Sequence, residues 1–122
     1  GCVNPQAVPA YGLPSAGLDV CGQICSASDS SGITAIEVIL STKDSLIDFD
    51  RYTTYTCGGY LVQMGTQYYP WPDSVRLIAT DIDGDLNGSY LSRDTQINLD
   101  DLENPDDYIY LDIDLYLEEA KE

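Results

Sequence analysis

Ile109, Leu111, Ile113, Leu115 and Leu117 alternate without a break with Tyr108, Tyr110, Asp112, Asp114 and Tyr116. Successive side chains of an extended strand point to opposite faces, so this stretch predicts a strand with one face in a core and the other in water. The same period recurs earlier in the chain. Leu18, Val20, Gly22 and Ile24 alternate with Asp19, Cys21, Gln23 and Cys25, and Ile36, Val38 and Leu40 alternate with Glu37, Ile39 and Ser41. Val75, Leu77 and Ala79 mark another strand. The serine-rich stretch from Ser26 to Gly32 has the composition of a turn. Gly58-Gly59, between the Tyr- and Thr-rich run 52–57 and the run 60–64, predicts a hairpin. Helical spacing is absent except for one candidate turn at Leu99 to Glu103, stopped by Asn104-Pro105. About seven short strands separated by turns predict an all-β sandwich.

The chain has 122 residues, which suits one compact domain with one core. Residues 1–14 carry Pro5, Pro9, Gly12 and Pro14 and no periodicity, and are expected to form a stalk in front of a domain spanning 15–122.

Charge narrows the partners. The 21 acids outnumber the 5 Lys and Arg residues to give a net charge of −16, so nucleic acid and anionic headgroups are repelled. Residues 73–122 account for most of it, with only Arg76, Arg93 and Lys121 as cations. Such a surface also discourages sheet edges from pairing with other chains. No apolar run reaches the length that spans a bilayer. Cys2, followed by the polar, proline-containing stretch Val3 to Pro9, resembles the mature end of a bacterial lipoprotein, which predicts acylation of Cys2 and a membrane link through that lipid.

Larger motifs extend the resemblance. Tyr11-Gly12-Leu13-Pro14, Gly22-Gln23-Ile24, Ile33-Thr34-Ala35-Ile36-Glu37-Val38 and Asp81-Ile82-Asp83-Gly84-Asp85-Leu86-Asn87-Gly88 resemble, in that order, the small radical SAM-associated lipoproteins of Gram-negative anaerobic bacteria. The resemblance runs from Tyr11 to about Lys121. It implies a transthyretin-like (prealbumin-like) or carboxypeptidase regulatory-like sandwich of Ig-like architecture. It also implies anchorage in the cell envelope and a radical SAM protein encoded nearby, of which the chain could be a substrate or accessory. The family has no established biochemical activity. Cys21, Cys25 and Cys57 are not part of its pattern.

Catalytic inventory is thin. The chain has no histidine, which removes the commonest general base and every Ser-His or Cys-His nucleophile. Cys21 and Cys25 are the only close cysteine pair and lack the further ligands a zinc site needs. Gly58-Gly59 lacks the Lys and Ser/Thr of a phosphate loop. Paired carboxylates are plentiful, but a sandwich this small seldom encloses a substrate cleft. The expectation is a non-enzymatic binding or structural protein with an unknown protein or polysaccharide partner and no cofactor.

Three candidate sites stand out. Tyr68, Tyr69 and Trp71, with Pro70 and Pro72, form a stiffened aromatic loop that either caps one end of the sandwich or anchors a partner. Cys21 and Cys25 in one extended strand would have Cα atoms about 13 Å apart, against the roughly 4.4 to 6.8 Å of a disulfide. Any bridge among these cysteines must then join Cys57 to Cys21 or to Cys25, unless all three stay reduced. Asp81, Asp83, Asp85 and Asn87 place oxygen donors at alternate positions. Calcium needs six to eight oxygens, and a straight strand would space these donors about 6.6 Å apart along one face. Counted from Asp81, the positions where an EF-hand has glycine and a bidentate glutamate hold Leu86 and Ser92. A structural acidic turn is expected there, with a weak calcium site as the alternative.

Overall fold

The computed structural model describes residues 17–55, 57–65, 72–83, 88–99 and 108–120. Two sheets enclose one core. The strands are β1 (Gly17–Ser26), β2 (Ile36–Thr42), β3 (Asp48–Thr53), β4 (Gly59–Met64), β5 (Ser74–Asp81), β6 (Arg93–Asn98), β7 (Tyr108–Asp112) and β8 (Leu115–Leu117). In the first sheet β1 is central, with β4 antiparallel on one edge and β7 and β8 following each other in parallel along the other. The second sheet is antiparallel in the order β3-β2-β5-β6.

The alternation seen in the sequence builds the core directly. Leu18, Val20 and Ile24 of β1, Tyr60, Val62 and Met64 of β4, and Ile109, Leu115 and Leu117 of the last strands face Ile36, Val38, Leu40, Val75, Leu77, Ala79 and Ile97 of the second sheet. Burying such side chains contributes about 1.5 to 3 kcal/mol each, which is why the inward positions hold so strictly to apolar residues.

Four features depart from the sequence-based expectation. The run 108–117 keeps one direction and one register along β1 but is interrupted: β7 ends at Asp112, paired with Cys21, and β8 resumes at Leu115, paired with Ile24. At the break the Ile113 N–H still donates to the Cys21 carbonyl at 2.7 Å, while Asp114 turns its carboxylate onto the Gln23 N–H at 2.9 Å. The alternation survives because two residues separate the paired ends on both strands, so nothing is inserted and the apolar residues stay on the core face.

The expected Gly58-Gly59 hairpin does not form. β3 belongs to the second sheet and β4 to the first, so the chain crosses between sheets here. Thr54 ends β3 by turning inward, where its hydroxyl donates to the Ile33 carbonyl at 2.7 Å and accepts from the Ile36 N–H at 3.0 Å. Cys57 and Gly58 both have positive φ, 81° and 72°. A Cβ on Gly58 would lie 2.3 Å from the Ile24 carbonyl oxygen, so the glycine serves close approach to β1.

β6 went unread because it is a polar edge strand in which only Ile97 is buried. Charged residues such as Asp94 and Arg93 there, and Asp48 and Arg51 on β3, blunt both edges of the second sheet. Finally, the second face of β1 is not wet: Asp19, Cys21 and Cys25 are all buried. As the central strand, β1 has neighbours reaching over it. Gln63 donates to the Asp19 carboxylate at 3.0 Å, and the Cys21 thiol donates to the Tyr110 hydroxyl at 2.8 Å. The helix candidate begins at Leu99, which is buried with its N–H on the Asp73 carbonyl; its remainder lies outside the described residues.

Candidate functional site

β2 and β3 are joined by a turn that holds two large aliphatic side chains in solvent: Leu46 is 81% exposed and Ile47 50%. The turn is not loose. Thr42 Oγ1 donates to Asp44 Oδ1 at 2.6 Å and accepts from the N–H groups of Leu46 and Ile47 at 3.1 and 3.2 Å. Asp44 Oδ1 accepts the Leu46 N–H as well, at 3.1 Å. These bonds, the Thr42 hydroxyl first, hold the Asp44 carboxyl below its ordinary range. Ser45 sits in the left-handed region at φ 64°, and its hydroxyl accepts from the Arg76 guanidinium, which also grips Asp94 on β6. Beside the turn lies an open cavity of about 520 Å³, lined by residues that include Leu46, Ile47, Pro72, Lys43, Asp44 and Asp73. Sequence reasoning missed this place. Its one signal was Thr42-Lys43-Asp44, a turn-forming cluster, followed by two aliphatics outside any strand alternation.

The predicted aromatic loop of Tyr68, Tyr69 and Trp71 lies outside the described residues; Pro72, next in the chain, lines the cavity. Of the outward tyrosines, Tyr110 and Tyr116 are about half exposed. The hydrogen bond from Cys21 pushes the Tyr110 phenol up to about 12.

Of the candidate calcium ligands, Asp81 and Asp83 are described and Asp85 and Asn87 are not. Asp81 closes the turn: one carboxylate oxygen accepts the Asp83 N–H at 3.2 Å and the other the Tyr90 N–H at 3.1 Å. Burial and the neighbouring Asp83 carboxyl raise the Asp81 pKa. Among the described residues no group of three or more potential ligands comes together. A carboxyl with a raised folded pKa stabilises the fold at low pH and loses that contribution as pH rises through the folded value. Asp83→Asn is therefore expected to raise the thermal midpoint at pH 7 by a few degrees and to do less at pH 4. Millimolar calcium is expected to shift the midpoint no more than magnesium does. A calcium-specific rise abolished by Asp83→Ala would make this a metal site.

The predicted bridge from Cys57 to Cys21 or Cys25 is absent, because both of these are free, buried thiols in β1. Cys57 is disulfide-bonded, and neither buried cysteine is its partner. Cys2, the fourth cysteine of the sequence, lies outside the described residues. Burial, reinforced by Asp114, pushes the Cys25 thiol up and keeps it from the reactive thiolate form. On unreduced protein, Cys21 and Cys25 are expected to react with a thiol reagent after unfolding and not in the native state. Rapid labelling of native protein would show that the face carrying them is open.

No family model matches the sequence, and no curated protein matches it. Among solved structures the chain is similar to phospholipase PlaB from Legionella pneumophila, solved with thio-NAD, with a TM-score of 0.53 at 7% identity, covering 84% of this chain and 26% of that one. GBS52, the minor pilin of Streptococcus agalactiae, overlays with a TM-score of 0.47 at 8% identity, covering 87% of this chain and 45% of that one. The chain thus spans about a quarter of the phospholipase, and at such identity the likeness is one of fold.

Proposed function

We propose that this chain is a non-catalytic binding domain of the bacterial cell envelope, held at a membrane by lipid on Cys2 and presenting one end of its sandwich to a partner. The observation that carries the binding role is the Leu46–Ile47 turn: a network of hydrogen bonds and a left-handed serine hold two aliphatic side chains in water beside a cavity. A surface of this kind is held ready at a cost that only an occupant repays. The sulfur of Cys2 can carry a thioether to lipid or a disulfide, not both. An anchored chain therefore holds Cys57 as a free thiol or bonded to another molecule.

A second function, as substrate or accessory of a radical SAM enzyme, draws on the Cys21 thiol and Tyr110 hydroxyl in contact at 2.8 Å, two groups that such chemistry could alter. A mass change on either side chain would favour it.

The binding role is tested by placing a photo-crosslinking residue at exposed positions around the whole domain in the native cell. Adducts at one end of the sandwich are expected. No adduct from any position would end the binding role.

A further inference from the structure

We infer that the Leu46–Ile47 turn and the cavity beside it dock a protein segment that inserts an apolar side chain and sets a Lys or Arg against the acidic rim. This rests on the binding role proposed above and names its partner's chemistry. The apolar half follows from the lining. Leu46, Ile47 and Pro72 offer aliphatic surface, and among the described residues no aromatic ring lines the cavity. A sugar presents hydroxyls and favours a flat ring to stack on, whereas an aliphatic or aromatic side chain gains fully from such a wall.

The cationic half follows from charge. Asp44 and Asp73 stand against Lys43 in the lining, and Asp44 is held ionised by Thr42 and the Leu46 N–H. The whole chain carries −16, so its field slows every anionic partner and speeds every cationic one. Anionic lipid surfaces are excluded by the same field. The site is also preorganised: Thr42 and Asp44 hold the turn from within, and Arg76 ties Ser45 to the sheet. Little ordering is left to oppose association.

The test is selection of a random twelve-residue phage-displayed peptide library on the full chain, with the double variant Leu46→Ser, Ile47→Ser as the counter-target. Both residues are exposed, so the variant is expected to fold, which an unchanged thermal midpoint checks. Enriched peptides should carry an apolar residue flanked by Lys or Arg. Their affinity should fall at least about ten-fold on the double variant, as for loss of a central apolar anchor, and should weaken with salt and with Asp44→Asn. Peptides that bind both forms equally, enrichment of neutral or acidic sequences, or no enrichment would each overturn the assignment. Crosslinks confined to the opposite end of the domain would overturn it too, while leaving the binding role intact.

Discussion

Gly22→Ala is expected to lower the stability of the domain strongly. A Cβ at this position would lie 2.0 Å from the carbonyl oxygen of Ile113 and 2.6 Å from its carbon, with the Asp114 carboxylate at 3.0 Å. The first two are backbone atoms at the break between β7 and β8. They can retreat only by breaking the Ile113 N–H bond to Cys21 and the Asp114 bond to Gln23, which hold the last strands on β1. Overpacking of this kind costs about 1 to 3 kcal/mol where side chains can yield, and more where backbone must. Against a total stability of roughly 5 to 15 kcal/mol, the thermal midpoint should drop by roughly 10 °C or more. A midpoint within a degree or two of the parent would show that the Ile113 backbone does not press on β1.

Tyr60 tests the same carbonyl from the other side. Its ring is fully buried in the core, and its hydroxyl donates to the Ile113 oxygen. Burial, with Cys21 and the acids Asp114 and Asp112 nearby, holds the phenol far above its ordinary pKa and so in the protonated, donating form. Tyr60→Ala should cost about 3 to 5 kcal/mol, as other large aromatic truncations do. Tyr60→Phe isolates the hydroxyl and should cost about 1 to 3 kcal/mol, the penalty for leaving a buried acceptor unpaired. Because Gly22 and Tyr60 meet at one atom, Gly22→Ala and Tyr60→Phe together should cost measurably less than their sum: once the Ile113 carbonyl is displaced, the hydroxyl has no acceptor left to lose. Strict additivity in chemical denaturation would separate the two contacts.

These contacts also mark where the sequence was legible. Apolar alternation is a local signal, and Ile36, Val38 and Leu40, Val75, Leu77 and Ala79, and the run 109–117 all face the core as the period requires. The break at Ile113 and Asp114 leaves no trace in that period, because the register on β1 is the same on either side of it. Gly22 reads in sequence as one inward position of an alternating strand; only the packing of a distant segment against it shows why a side chain cannot stand there. Gly58 was informative about conformation and misleading about topology, because a positive φ serves a crossing between sheets as well as a hairpin. β6 was invisible because an edge strand with one buried residue carries too little alternation to read.

At the candidate sites, side-chain identity alone was ambiguous. Asp81 bears the right oxygens for a cation, yet its described partners are the N–H groups of Asp83 and Tyr90, which make it a turn-closing residue. Leu46 and Ile47 stand out in sequence only as aliphatics outside a strand alternation, a signal that spare core gives as well. Their exposure is a property of the turn that Thr42, Asp44 and Arg76 build around them.

The proposed role, an envelope domain anchored through lipid on Cys2, is tested most directly by the intact mass of the protein isolated from its native cell. The account predicts a polypeptide beginning at Cys2 that carries diacylglyceryl lipid there and is otherwise unmodified, with Cys57 released from any bond to the same sulfur. A chain without lipid, two hydrogens lighter than its fully reduced form, would contradict it.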